Sequence, residues 1–529
     1  MSKKYDAIVI GGGHNGLVCG TYLAKAGVKT LVLERREILG GACVSEESFP
    51  GFKVSTGAFL MALLQPKIIL DLELAKFGFE ALKPPPSFIP FMDGRSIVLW
   101  DEVEKTSAEF AQFSKKDAAA LPEYRKHLLR LAPFIREIIW ETPPNMLPKT
   151  IGDFAQLAKF AWRYRKYGSL ASDIYDILTL SAYDYLSRWF ESDAVIATLA
   201  YFVGGGGTNM SPKMPSTAFA LLRPLVRDHG TPAGDWGYIR GGMGSIPQAI
   251  AQSGARFGLE TRVNAPVARV SVKGNQVVGV VLESGEEIAA TCVISNANAK
   301  TTFLNLVEDR ETPAEFREQV KNIRTKSSCY KVHLGVDKLP TYPSFDKVAR
   351  GFDYPGQVRV GAAIDYLEQA YDDAKYGGYA RRPFLTVHTP SLLDRTIAPK
   401  GMHLLSIFAG HAAHDLKDSG WGQERGRLLE NTINALEVYA PDVKDGIVHS
   451  EILTPVDLAS RFNLPDGHVH HGEITIDQVF FRRPVAGYAD YRTPVRNLYL
   501  CGASAHPGGG VTGVPGHNAA REVLKDLRK

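Results

Sequence analysis

The sequence predicts an α/β protein in which a nucleotide-binding domain is split by a second, inserted α+β domain. Three observations predict it. At the start of the chain an apolar strand (residues 5–10) runs straight into a glycine-rich turn and a helix (about 15–26), and a second apolar strand follows at 28–33. In the middle, β-type runs return at 267–273, 277–282 and 288–294, separated by the turns Gly274-Asn275 and Ser284-Gly285. At the end, a strand (497–501), a glycine turn and a helix (514–527) repeat the opening logic. Strands that read as one layer therefore sit at the start, middle and end, and what lies between them is inserted.

The opening turn carries the chemistry. Gly11-Gly12-Gly13-His14-Asn15-Gly16 fits G-x-G-x-x-G between a strand and a helix. Gly11 allows the tight turn, Gly13 lets the backbone approach a pyrophosphate, and Gly16 lets helix and strand pack closely. The phosphates would lie against the helix N-terminus, where unpaired N–H groups and the helix dipole favour negative charge. Gly27 is placed to end that helix. Glu34 closes the second strand, where a carboxylate can accept bonds from an adenosine ribose. Arg35 and Arg36 follow it, either as partners for a 2′-phosphate or as solvated and locally paired charges. The motif by itself does not separate FAD from NAD. A second match, Gly508-x-Gly510-x-x-Gly513, ends at Lys529 without a further strand and acid, so it reads as a turn packed against the same cofactor.

Composition narrows the rest. The chain has 529 residues, 45% hydrophobic and 22% charged, which suits two or three globular domains. A net charge of +4 argues against nucleic acid as a partner. No stretch approaches the roughly 18 apolar residues of a membrane span, and the N-terminus lacks the apolar region of a signal peptide. Cytoplasmic placement is the expectation. The five cysteines, Cys19, Cys43, Cys292, Cys329 and Cys501, form no C-x-x-C pair, so redox chemistry must come from a bound cofactor. Residues 105–227 read as mostly helical, and 326–336 as a further strand.

At this point the sequence resembles a known family. The opening VIGGGHNGLVCGTYLAKAG…LVLERREILGGA is similar to the FAD fingerprint of amine oxidases and phytoene desaturases. The ending NLYLCGASAHPGGGVTGVPGHNAA is narrower. It resembles the phytoene-dehydrogenase-like carotenoid oxidoreductases: phytoene desaturases, the β-carotene ketolase type and a vertebrate mitochondrial member. WGYIRGGMGSIPQAIA, VVGVVLESGEEIAATCVISNANAKTTF and GHVHHGEITIDQVFFRRP agree with it. The resemblance implies a glutathione-reductase-like Rossmann FAD domain (residues 1–80, 236–306 and 485–529) with an inserted α+β substrate domain (81–235 and 307–484), the architecture of amine oxidases and phytoene desaturases. It implies FAD as cofactor. Gly11, Gly13 and Gly16 would hold the pyrophosphate, Glu34 the ribose, and Gly40-Gly41 would let the chain pass close to the FAD. The strand near Val267 would pass the adenine. Gly502, Gly510, Val511 and Gly513 would lie along the ribityl chain and flavin. The implied reaction is hydride transfer between flavin and an apolar, polyene-like substrate, with dioxygen or a quinone as electron acceptor. A flavin amine oxidase and a non-catalytic FAD-binding partner are the alternatives.

Two residues stand out as catalytic candidates. Alternation in SSCYKVHLGVD puts Tyr330, Val332 and Leu334 on one face, and Lys331 with Cys329 and His333 on the other. Lys331 is either a positioned ammonium near the flavin or a surface lysine on an edge strand. His468, His470 and His471 crowd what reads as one strand, without the partners a metal site needs. His471, with Asp477, Gln478 and Arg483, matches a family block and would line the substrate cavity or pack beside it. Asp477 and Arg483 would otherwise pair with each other. His506 would tune the flavin or hydrogen-bond its own turn. The run IGDFAQLAKFAWRYRKY mixes aromatics with Lys159, Arg163, Arg165 and Lys166, so peripheral membrane contact is open. In a eukaryote the mitochondrial matrix would be the compartment.

Overall fold

The computed structural model describes residues 4–205, 207–227 and 236–528. The end of the first inserted segment, 228–235, and the chain ends of the expected cofactor domain lie outside the described residues. Along the chain the elements used below are β1 (Lys4–Ile10), α1 (His14–Lys25), β2 (Thr30–Leu33), β3 (Ser87–Pro90), β4 (Ser96–Leu99), α2 (Lys115–Ile138), α3 (Ile151–Tyr164) and α4 (Asp193–Gly205). Then come β5 (Glu260–Arg262), β6 (Val267–Lys273), β7 (Gln276–Leu282), β8 (Glu287–Ser295), β9 (Cys329–Val336), β10 (Gln357–Val360) and β11 (Tyr379–His388). The last are β12 (His403–Ala412), α5 (Trp421–Glu437), β13 (Ile447–Leu453), β14 (Leu498–Leu500) and α6 (Val514–Leu527).

Among the described residues these strands build two seven-stranded sheets. The first has the order β6-β7-β8-β1-β2-β5, with β14 joined to β8. Strand β8 splits its partners: its first half pairs antiparallel with β7 and its last residues pair parallel with β14. The β8-β1-β2-β5 pairs are parallel, so β1, β2 and β8 end at one edge, and β14 ends there too. That edge, beyond the carboxyl ends of parallel strands, is where open α/β sheets bind their ligands. Helices α1 and α6 cover one face and pack directly on each other, because Gly516 lets α6 rest on the Asn15 carbonyl.

The second sheet, β13-β9-β12-β11-β10-β3-β4, is built from the inserted residues. One of its faces is apolar. Tyr330, Val332, Leu334, Val358, Leu385, Val387, Leu405 and Ile407 pack with Leu428 and Leu436 of α5. The other face is buried too, yet carries Lys331, His333, Gln357, Arg359, Thr386, His388 and Ser406. The alternation expected around Lys331 is therefore correct, but β9 lies between β12 and β13 and is no edge strand. The 105–227 stretch is helical as expected. In α2, Leu121, Tyr124, Leu128, Leu131, Ile135 and Ile138 recur at three- and four-residue spacing and form the buried stripe, and Ser114 caps the first turn through Asp117 N–H. No described helix is long and apolar enough to cross a membrane.

The 468–471 stretch is not a strand. It is a turn in which Asp466, Gly467, His471 and Gly472 all have positive φ, so the alternation of faces assumed for its histidines does not apply.

Candidate functional site

Three glycine turns meet at the carboxyl edge of the first sheet. In the first, the Gly11 N–H donates to the Leu33 carbonyl at 2.7 Å and the Gly12 N–H donates to Glu34 Oε2 at 2.8 Å. The Arg36 N–H donates to the other carboxylate oxygen at 2.9 Å, so the acid is pinned beside the turn. A Cβ on Gly16 would fall on the Gly11 carbonyl oxygen, which is the close helix–strand packing that position requires. A Cβ on Gly13 would meet Asn296 Nδ2 at 2.8 Å. The second turn, Gly40-Gly41, lies against the first: the Gly40 N–H donates to the Gly12 carbonyl at 2.8 Å, and a Cβ on Gly41 would meet Gly13 Cα at 3.1 Å. The third turn comes from the C-terminal block, where a ring nitrogen of His14 lies 3.3 Å from the Gly510 carbonyl oxygen. Burial holds His14 down to about 4, so it is a neutral imidazole joining the first and third turns.

Around these turns runs one cavity of about 970 Å³, near the upper end of the roughly 300–1,000 Å³ of small-molecule sites. Gly11, Gly13, Glu34, Gly40, Gly41, Val267, His471, Gly510 and Val511 all line it. Gly16, Gly502, Gly513 and Lys331 do not; they stand behind its wall. Gly502 gives room for the Asn296 carbonyl, and Gly513 caps α6 with a φ of 74°. Asn296 is a residue that sequence reasoning passed over. It lines the cavity under Gly13 and its side-chain N–H donates to the Gly11 carbonyl at 3.1 Å. Its signal was its place directly after β8, at the edge where β1 turns into glycine.

The family model described as flavin containing amine oxidoreductase matches residues 16–524. The chain belongs to that family. Pyridine nucleotide-disulfide oxidoreductase domain-containing protein 2 of Rattus norvegicus is 37% identical, spanning 100% of this chain and 94% of that protein. Phytoene desaturase (lycopene-forming) of Pantoea ananas is 25% identical, spanning 98% of this chain and 99% of that protein. Among solved structures, an oxidoreductase from Methanosarcina mazei superposes with a TM-score of 0.62 at 17% identity, covering 99% of this chain and 100% of that one, a likeness of fold. The protein is an FAD-dependent oxidoreductase of this family, and the residues present fit the cofactor. Helix α1 has Gly13 as its N-cap, without a side-chain cap and without an acid in its first turn, so its N-terminus is left for an anion. Asn15 Oδ1 is buried there without a partner. Arg35 and Arg36 are held locally, by the Ser460 and Arg461 carbonyls and by Glu46.

The catalytic candidates are placed as follows. Lys331 is 1% exposed. Its ammonium donates to the Ser55 carbonyl at 2.6 Å and to the Gly57 carbonyl at 3.0 Å, and lies 5.1 Å from the centre of the Phe59 ring. It thus faces the back of residues 57–59, which form cavity wall. Burial, opposed by Glu451, lowers it to about 7. His471 lines the cavity, with its Nδ1 at 3.4 Å from Ser504 Oγ. Burial and the nearby Arg483 hold it down to about 3, so it is neutral at ordinary pH and is no imidazolium. Arg483 does not pair with Asp477. Asp477 is bound by Arg324, while Arg483 donates to the carbonyls of Ala503, Glu473, Gln478 and His470 and so ties the histidine turn together. His506 bonds neither its own turn nor the cavity: its Nε2 lies 2.9 Å from the Ile138 carbonyl oxygen at the end of α2.

Beyond Phe59 and Val511 the cavity runs between the polar face of the second sheet and the helical layer. Leu199, Phe202, Leu221 and Leu128 supply its apolar wall, and Phe408, Thr386, Arg359 and Gln357 its sheet wall.

Proposed function

We propose that the protein dehydrogenates, saturates, isomerises or ketolates an apolar, polyene-like substrate. The observation that carries this reading is the single cavity joining the glycine cradle to an apolar chamber of aromatic and leucine side chains. In this reading residues 1–80, 236–306 and 485–529 carry the cofactor and 81–235 and 307–484 the substrate. Gly11, Gly13 and the α1 N-terminus hold the pyrophosphate, Glu34 the ribose, Val267 the adenine side, and Gly510 with Val511 the flavin end. When bound there, FAD supplies the two-electron chemistry. The chain's own part is to place a substrate carbon at that end, to exclude water with Phe59, Phe202 and Phe408, and to keep the cradle rigid through Asn296 and Gly40. Lys331 acts as a positioning residue that fixes residues 55–59 from behind. His471 offers a neutral hydrogen-bonding group at the wall.

An amine substrate is the weaker reading. Its cation would need a free carboxylate in the chamber, whereas among the lining acids Glu34 is bound by two backbone N–H groups, Asp101 by Lys83, and Glu283 lies on the Val267 side, its N–H bonded to the Pro266 carbonyl; the lining also carries the cations Arg223 and Arg359. Dioxygen or a quinone takes the electrons. A lipid-like substrate is consistent with contact at a membrane surface. The test is to extract the flavin-loaded protein with organic solvent and identify what co-purifies. Conjugated apolar molecules are the expected finding; only polar amines in the extract would contradict the proposal.

A further inference from the structure

Arg359 has no counter-charge. It lies in β10 on the cavity face of the second sheet, 5% exposed, and it lines the cavity. Among the described residues its side chain makes no hydrogen bond and no ion pair. Its Nε is buried without a partner, and the guanidinium lies over the rings of Phe202 at 4.1 Å and Tyr201 at 5.7 Å. A buried cation left without a counter-ion is costly, because burial removes its hydration and nothing replaces it. The two rings restore a part of that loss and they fix the plane of the group.

The neighbours complete a pocket for a head group. Cross-strand register sets Arg359 opposite Thr386 of β11, Thr386 opposite Phe408 of β12, and Phe408 opposite Lys331 of β9. These four side chains form one row across the sheet face. Thr386 is a buried hydroxyl in the lining beside Arg359. On the opposite wall Thr198 lies one turn before Phe202 on α4; its Oγ1 is buried without a partner, and both residues line the cavity. A guanidinium fork with neighbouring hydroxyls matches the planar oxygens of a carboxylate, and one positive charge balances one negative charge. The rest of the chamber is mostly hydrocarbon and aromatic, with Ser87, Gln357 and Arg223 as further polar groups in its lining. At the usual strand spacing of about 4.8 Å, Arg359 stands roughly 14 Å along the row from Lys331, three strands away. A head group there leaves an apolar chain running back toward Phe59 and the glycine turns.

We infer that the substrate or product is an amphipathic acid, a long apolar or unsaturated chain whose terminal carboxylate is bound by Arg359 with Thr386 and Thr198. This rests on the apolar-substrate reading above and adds the head group to it. Alkyl phosphates share the charge and are separated from carboxylates by the test.

The experiment is equilibrium binding to the FAD-loaded protein by calorimetry. The probes are oleic acid, methyl oleate, oleyl alcohol and oleyl phosphate, with wild type and Arg359→Met, which keeps length and apolar volume. The expectation is that wild type binds oleic acid at least about 30-fold more tightly than the ester or alcohol, and more tightly than the phosphate. Arg359→Met should lose that preference while keeping its affinity for the ester and its FAD content. Thr386→Val should lower the preference for the acid by a smaller factor. Equal binding of acid, ester and alcohol by wild type overturns the carboxylate inference and leaves the apolar-substrate reading standing. Preference for the phosphate over the acid overturns the choice of carboxylate. Binding of none of the four overturns both. If Arg359→Met does not fold, the wild-type comparison and Thr386→Val decide alone.

Discussion

Gly13 has no room for a side chain, and the reason is a contact from the far end of β8. Its Cβ would strike Asn296 Nδ2 at 2.8 Å, and that amide holds the Gly11 carbonyl. Gly13→Val should therefore displace Asn296 and push a side chain into the cavity where Gly13 and Gly41 nearly touch. Purified Gly13→Val is expected to carry less than about a tenth of the wild-type FAD, read from released flavin per protein; equal flavin would mean that the turn is not the phosphate site. Lys331 gives a second prediction, with a definite sign. In the folded protein burial lowers its amine to about 7, against 10.5 in an unfolded chain. Between those values the unfolded chain holds a proton that the folded protein does not, so raising the pH favours folding. Below about 7 both states are protonated and the effect is flat. The melting temperature of wild type relative to Lys331→Met should thus rise between pH 7 and pH 9. A difference that does not change with pH would mean that the ammonium is charged throughout. Flavin reduction by substrate should also slow in the variant, because the carbonyls of Ser55 and Gly57 lose their donor.

At the scale of elements, what was legible in the sequence was what the chain decides locally. The β1-turn-α1-β2 unit reads directly, because the turn's backbone bonds are made nearby in the chain, to Leu33, Glu34 and Gly40, although the side chain that crowds Gly13, Asn296, comes from far along it. The second sheet was far less legible. Only β9 was read from it, since β3, β4, β10 and β11 are short or interrupted by charged residues whose place on a buried face depends on strands hundreds of residues away. Arg359 and Gln357 in β10 look like solvent-exposed side chains until Thr386 and Ser87 are set beside them. The histidine turn failed for another reason. Its β-like composition hides four positive φ angles that Arg483 stabilises by binding carbonyls from 470, 473 and 478. Helix α3 bears out its amphipathic pattern in a specific way: none of its residues is buried, and Ile151, Phe154 and Trp162 are exposed. Arg163 and Lys166 are paired with Glu141 and Glu137, which leaves the apolar side as the more available face. If this helix rests on a membrane, Phe154→Ser with Trp162→Ser should reduce flotation with anionic phosphatidylserine vesicles at least about fivefold, without loss of FAD. Unchanged flotation would remove α3 from that role.

Over the whole molecule, two sheets that could each stand as a layer are joined by one cavity. The first sheet presents carboxyl-end turns, which suit phosphates and ribose. The second presents a buried polar face with an apolar helical wall opposite, which suits a long chain with one polar end. Residues from the start, middle and end of the sequence meet there, so the site exists only once the insertion and the split domain have closed on each other. The measurement that tests this account most directly is anaerobic titration of the FAD-loaded protein, following the flavin's visible absorbance. Long-chain polyenes should exchange electrons with it, bleaching the oxidised flavin if they are dehydrogenated or restoring the colour of pre-reduced flavin if they are saturated, and primary amines should leave it unchanged. Bleaching by amines, with no response to any apolar substrate, would contradict the account.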